Sequence, residues 1–181
     1  MAESDRRLGH NIREKEGRPS KMRGDFALSD RPREVLGLMA EGLSMKETGV
    51  SLGIEESTVK NYRGIIFVAF GAVNSTNAVI LAIDKGILNL EKLTKDLNIE
   101  LMSELTEKEL DVLRVMVSKS GRISSNEAIA KALSLSPNTI RSHIVRITSK
   151  LELNRMQAAL LYLAAVKANY LPVESTVNQK I

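Results

Sequence analysis

Residues 137–151, PNTIRSHIVRITSKL, decide how this chain is read. Wound as a helix, they set Ile140, Ile144, Ile147 and Leu151 at i, i+4, i+7 and i+11, the spacing of a stripe that packs into a core. The remaining surface carries Arg141, His143, Arg146 and Lys150, with no acid before Glu152. A helix face that meets only water mixes both signs of charge, whereas this one holds cations alone. Opposite the stripe lie Ser142, Val145 and Ser149, short side chains that allow close approach, flanked by Arg141 and Arg146.

What precedes the stretch gives it a context. Ser136 followed by Pro137 is the preferred opening of a helix, a capping hydroxyl and then proline at the first position. Ser125 is placed to cap an earlier helix over 126–133, and Thr106 with Glu109 three residues on forms a capping-box pattern. A final helix is expected over 155–168. Helix, tight turn, then a helix opening Ser-x-x-Thr-Ile-Arg is the layout of a helix-turn-helix nucleic-acid reader. The second helix of such a unit buries one face in a small bundle and offers the other to the major groove, where arginines reach guanine edges or phosphates. His143 sits beside the apolar stripe and is expected to pack, not to hold a metal.

The same pattern occurs twice. LSDRPREVLGLMAEG from Leu28 aligns with LTEKELDVLRVMVSKSG from Leu105, and ESTVKNYRGII aligns with PNTIRSHIVRI. The offset grows between the two blocks, which places a loop insertion around SKSGRIS. In the first copy, Ser29 is a cap candidate for 30–41 and Ser44 for 45–52. A third helix runs over 57–70 up to Gly71, and a fourth over 76–85 up to Gly86. The expected fold is therefore all-α: two tandem four-helix helix-turn-helix domains joined by a short helical linker. Residues 1–27 are expected to form a mixed-charge, disordered arm, 28–88 the first domain, 89–104 the linker, 105–171 the second domain and 172–181 a polar tail. Within the linker Leu90, Leu93 and Leu97 recur at helical spacing, with a hinge expected near Asn98.

Composition narrows the function. Hydrophobic residues make up 43% of the 181, which supports a packed core, and aromatics only 3%, with no Trp. Without cysteine there is no disulfide and no thiol chemistry. No Gly-rich phosphate loop, metal-spaced histidine pair or nucleophile elbow is present, so neither catalysis, a cofactor nor a metal is expected. No apolar run approaches membrane length and the start has no apolar signal core, so a cytoplasmic chain without membrane contact is expected. Positive charge is concentrated in one half: residues 105–171 hold ten basic and five acidic side chains, residues 28–90 six and seven. A basic half joined to a neutral one suggests that only the former is tuned to a polyanion.

Both copies resemble the DNA-binding domain of the LuxR/GerE/NarL class of bacterial regulators. The matching residues are LSDRPREVLGLMAEGLSMKE…LGIEESTVKNY in the first copy and LTEKELDVL…NEAIAKALSLSPNTIRSHIVRITSKLEL in the second. The resemblance implies a transcription regulator whose third helix enters the major groove of double-stranded DNA. By position, Asn138, Thr139, Arg141, Ser142, Val145, Arg146 and Lys150 of the second copy, and Thr58, Lys60, Asn61 and Arg63 of the first, are expected to face DNA. It also implies that the fourth helix serves dimerisation, making a homodimer a candidate state. With 27 residues ahead of the first copy, the expectation is a regulator without the receiver or sensor domain usual in the class.

The first copy departs from the pattern where contact would be made. Pro32 replaces an acid, Thr48-Gly49 replaces Ile-Ala, and Glu55 replaces the serine cap. Gly64 stands where a polar contact is common, and Ile65 and Val68 point outward where the second copy has Arg146 and Ser149. An apolar outer face suits protein better than phosphate, so Ile65 and Val68 are candidate interface residues and the second copy is the expected principal reader. RNA polymerase or a regulatory protein is then a candidate partner. The alternative is an adaptor or anti-activator that keeps the fold and binds protein through the first domain. A 16-residue linker spans about 24 Å as a helix and about 50 Å extended. It would therefore let two independent readers occupy adjacent sites, with Arg6, Arg7 and Arg13 of the arm adding phosphate contacts.

Overall fold

The computed structural model describes residues 28–118 and 125–171; the arm 1–27, the tail 172–181 and residues 119–124 of the expected insertion lie outside the described residues. Within these bounds the chain is all-α, as expected. The first unit comprises α1 (Asp30–Ala40), α2 (Met45–Leu52), α3 (Glu56–Phe70) and α4 (Ser75–Asp84). The second comprises α6 (Glu107–Met116), α7 (Asn126–Leu133), α8 (Pro137–Leu151) and α9 (Arg155–Lys167). The helices given bounds from the sequence lie within a residue of them, and α6 starts directly after its expected cap Thr106, because helix ends are written locally. Ser44 and Thr106 close full capping boxes with Glu47 and Glu109. Ser29 sits at its N-cap position but accepts no side-chain bond.

The turn inside each helix pair is the same device in two chemistries. Gly53 and Ser134, at matching positions, both adopt left-handed backbone with φ of 64° and 54°. A chain reversing after a helix needs one such residue. Glycine takes this conformation freely, and the second unit accepts the cost in a serine.

The linker is interrupted at Asn98, where the hinge was expected, and only its first part is α-helical. It breaks into α5 (Leu90–Thr94) and a 3-10 turn (Ile99–Glu104), with Asn89 and Asn98 each capping the following piece by accepting an amide hydrogen bond of 2.9 Å. Both pieces fold back onto α9, so the linker is no tether of 24 or 50 Å between independent beads.

Helix α9 makes the two units one body. Its Ala158, Ala159, Leu161, Tyr162 and Ala165 belong to the second unit's core. Its Met156 and Leu160 are buried in the first unit's core with Val35, Leu36, Val59, Ile66 and Leu90. A helix apolar on all sides has to be covered on all sides. At the start of α9, Asn154 caps the helix by accepting from the Gln157 amide, and its Nδ2 donates to the Glu41 carbonyl oxygen at 3.2 Å. Gly42 lies directly beneath with φ +87°, and any side chain there would run into Asn154.

Candidate nucleic-acid interface

Helix α8 packs against α6, α7, α9 and the 3-10 turn. Ile140, Ile147 and Leu151 are fully buried in the second core, and Ile144 packs half-buried at its edge. At the N-terminus the Ser136 hydroxyl accepts from the Thr139 amide at 3.0 Å and lies 2.8 Å from the Thr139 hydroxyl. The cap therefore fixes the first turn and uses the Thr139 side chain in doing so. His143 is half-buried beside the stripe, and its Nδ1 is buried without a hydrogen-bond partner.

With the stripe inward, the opposite face is set by helical geometry. Asn138, Arg141, Ser142, Val145, Arg146 and Ser149 are all exposed, Val145 to 60%. Among the described residues Arg141 and Arg146 make no hydrogen bond or ion pair, so their fan of N–H donors is unspent. The Arg141 charge still reaches Glu127 at the start of α7. That carboxyl lies below its usual range through its own backbone amide, the Ser125 hydroxyl and, more weakly, Arg141. The result is a ridge of short side chains between two free guanidiniums, with no acid on the helix.

Lys150 is the exception among the expected contacts of this helix. Its ammonium donates to Glu109 Oε2 at 2.8 Å and to the Glu104 carbonyl oxygen at 3.0 Å, inside the protein. Glu109 is only 2% exposed, and it also accepts from the Thr106 amide and hydroxyl. Burial raises this carboxyl, but the bonds from Lys150 and Thr106 together outweigh it and hold it below the ordinary carboxylate range. Lys150 thus ties the end of α8 to the start of α6 and to the linker. The Thr106-x-x-Glu109 pattern was visible as a cap; that the carboxylate is buried and needs a cation from α8 was not.

The equivalent face of α3 is built differently. Lys60 and Asn61 are exposed and Thr58 is half-buried. Arg63, expected at DNA, turns into its own unit: Nη2 donates to the Ser75 hydroxyl at 2.6 Å, and the guanidinium lies 5.8 Å from the Phe67 ring centre. Its counterpart in α8 is half-buried Ile144, which is why this register meets the bundle and not the outside. Ile65 and Val68 point outward, 50% and 85% exposed. At the N-terminus Glu55 stands in the cap position without a side-chain cap bond, and Glu56 follows it, where α8 has Ser136 and Pro137. Two acids there oppose phosphate approach to the positive end of a helix. Gly49 answers to Ala130 of the second unit; a Cβ at Gly49 would lie 2.8 Å from the Ile54 carbonyl oxygen, so the first unit's corner is closed more tightly.

Among the described residues no three His, Asp or Glu side chains gather as a metal would require. No single described helix is long and apolar enough to cross a membrane; α3 and α4 together reach the length but are bent by 50°, and α4 is mostly buried in the first core.

The fold and the two corners define a tandem helix-turn-helix protein. The chain belongs to the bacterial regulatory proteins of the luxR family, whose family model matches it twice, over residues 27–82 and 103–163. Among curated proteins it is similar to the transcriptional regulatory protein YdfI of Bacillus subtilis (strain 168), with 36% identity over 74 residues, 41% of this chain and 35% of that protein. The chain thus spans about a third of the length of that relative. No solved structure matches it significantly.

Proposed function

We propose that this chain regulates transcription by binding double-stranded DNA in a sequence-specific manner, with α8 as the reading helix. The observation that carries the reading is the exposed ridge of α8: Arg141 and Arg146 unspent, Ser142, Val145 and Ser149 short between them, and no acid on the helix. Such a ridge fits the major groove, where bidentate arginine contacts to guanine discriminate bases and phosphate contacts set register. Asn138 at the helix start is placed for a backbone or base contact, and the hydroxyl of Ser142, which donates to the Asn138 carbonyl at 3.1 Å, lines the same surface. Thr139 contributes through its cap. Lys60 and Asn61 of α3 are at most peripheral contacts, and Lys150 and Arg63 act inside the fold.

Phosphate contacts release counterions, so affinity has to fall with salt in proportion to their number. Fluorescence anisotropy of the full chain on labelled duplex, across a salt series, is expected to show a steep slope that Arg141→Ala and Arg146→Ala each reduce. Binding insensitive to salt would favour the second reading, an adaptor that keeps the fold and binds protein through the exposed Ile65 and Val68 of α3.

A further inference from the structure

Gly64 sits in the middle of α3, exposed, and a Cβ added to it would meet nothing within 4 Å. Nothing inside the molecule asks for glycine there, while a mid-helix glycine weakens a helix relative to alanine. Its backbone φ is not in the left-handed range either, unlike that of Gly42, Gly53, Gly71 and Gly86. The residues around it on the same side are Asn61, Ile65 and Val68, all exposed, so α3 presents an apolar patch with a notch at its centre. A notch of this kind is useful when another backbone comes close: small residues at a crossing let helix axes approach to about 8 Å instead of about 10 Å.

We propose that this face of α3 pairs with α3 of a second copy of the chain, antiparallel across a two-fold axis at Gly64 and Ile65. In that arrangement each Ile65 side chain lies over the partner's Gly64, and each Val68 lies beside the partner's Asn61. The charges select both the occupant and the direction. Beyond Arg63, α3 carries no ionisable side chain, so its last two turns present only apolar groups and the partially negative carbonyl end of the helix. Antiparallel pairing brings the partner's exposed Lys60 to that end, where a cation is favoured. Parallel pairing would instead bring Glu55 and Glu56 against their own copies. Isologous contact is the commonest way for one surface to satisfy itself, and a two-fold pair would carry two α8 ridges to a palindromic site.

The proposal rests on the reading that α3 does not enter the groove, and not on α8 reading DNA, so its test contains no DNA. Sedimentation velocity of the full chain from about 1 µM to about 1 mM, which brackets weak to moderate association, is expected to show reversible dimers. Val68→Asp is expected to leave monomers throughout. Gly64→Ala gives the sharper result: it should raise the thermal midpoint of the monomer by about 2–4 °C while weakening dimerisation tenfold or more. A partner seated against Gly64 gives these opposite signs, since nothing within the chain meets a Cβ there. Arg141→Ala/Arg146→Ala should dimerise as the parent does, which separates this outcome from any failure of DNA reading. A chain that stays monomeric over the whole range overturns the proposal, as does a dimer that Val68→Asp and Gly64→Ala leave intact.

Discussion

Arg146 and Lys150 stand one turn apart on α8, both basic, both expected at DNA, and the structure separates them by what surrounds each. Arg146 has no partner among the described residues, whereas Lys150 neutralises buried Glu109. Arg146→Ala is therefore expected to leave stability within about 0.5 kcal/mol and to weaken specific binding by about 1–3 kcal/mol, measured by anisotropy and thermal unfolding on the same samples. Lys150→Met should do the reverse at first order. It leaves a buried carboxylate with Thr106 alone, a loss of about 1–3 kcal/mol, moderated because the ammonium is partly solvated. The pH dependence follows from the same group. A carboxyl whose pKa is lowered on folding adds stability above its unfolded value, about 4.3, and that stability is lost as pH falls through the lower folded value. Thermal midpoints should thus drop on acidification below about pH 4.5, and less so in Lys150→Met. Sequence pattern could place both cations on α8; it could not show that one of them has a counter-charge 41 residues away in α6, because that pairing is made only by tertiary packing.

At the level of elements, α8 and α3 show how one helical frame supports two surfaces. The inner stripe is conserved in kind between them, Val59, Ile66 and Phe70 answering to Ile140, Ile147 and Leu151, so both helices form and dock. The caps differ: Ser136→Ala removes a bonded cap and should cost about 1 kcal/mol. At the α2–α3 corner, Gly49→Ala should destabilise the protein although alanine ordinarily favours a helix by about 1 kcal/mol over glycine, because the new Cβ meets the Ile54 carbonyl oxygen. Urea unfolding of the two variants checks both, and a stabilised Gly49→Ala would show that the corner is looser than described. These helices were legible in the sequence because caps, left-handed stops and apolar periodicity are local. The outward turn of Ile65 and Val68 was legible as well, from register with Arg146 and Ser149. The inward turn of Arg63 was not, since an arginine at the edge of a stripe reads as a surface cation until its partner, Ser75, is seen.

For the whole molecule the decisive element is α9. Its sequence lacks a polar face, so the pattern reveals that it is covered but not by what. The linker likewise read as a tether: its leucine spacing and the hinge at Asn98 were legible, but not that α9 offers both pieces a surface. With Met156 and Leu160 in the first core and Leu161 and Tyr162 in the second, the described units should unfold in one transition. Leu160→Ala should lower the stability of both together by about 2–5 kcal/mol, which calorimetry would register as a single peak moved and not as one of two. The family resemblance pointed to the fourth helix for dimerisation; part of α9 is buried against the first unit, while Ile65 and Val68 of α3 remain exposed.

The measurement closest to the central claim is selection of bound sequences from a random duplex library by the full chain, run beside Arg141→Ala/Arg146→Ala and Lys60→Ala/Asn61→Ala. Reading by α8 predicts an enriched motif that is lost in the first variant and kept in the second. A motif that survives without Arg141 and Arg146, or whose half-site itself changes with Lys60 and Asn61, would contradict the assignment of the reading face to α8.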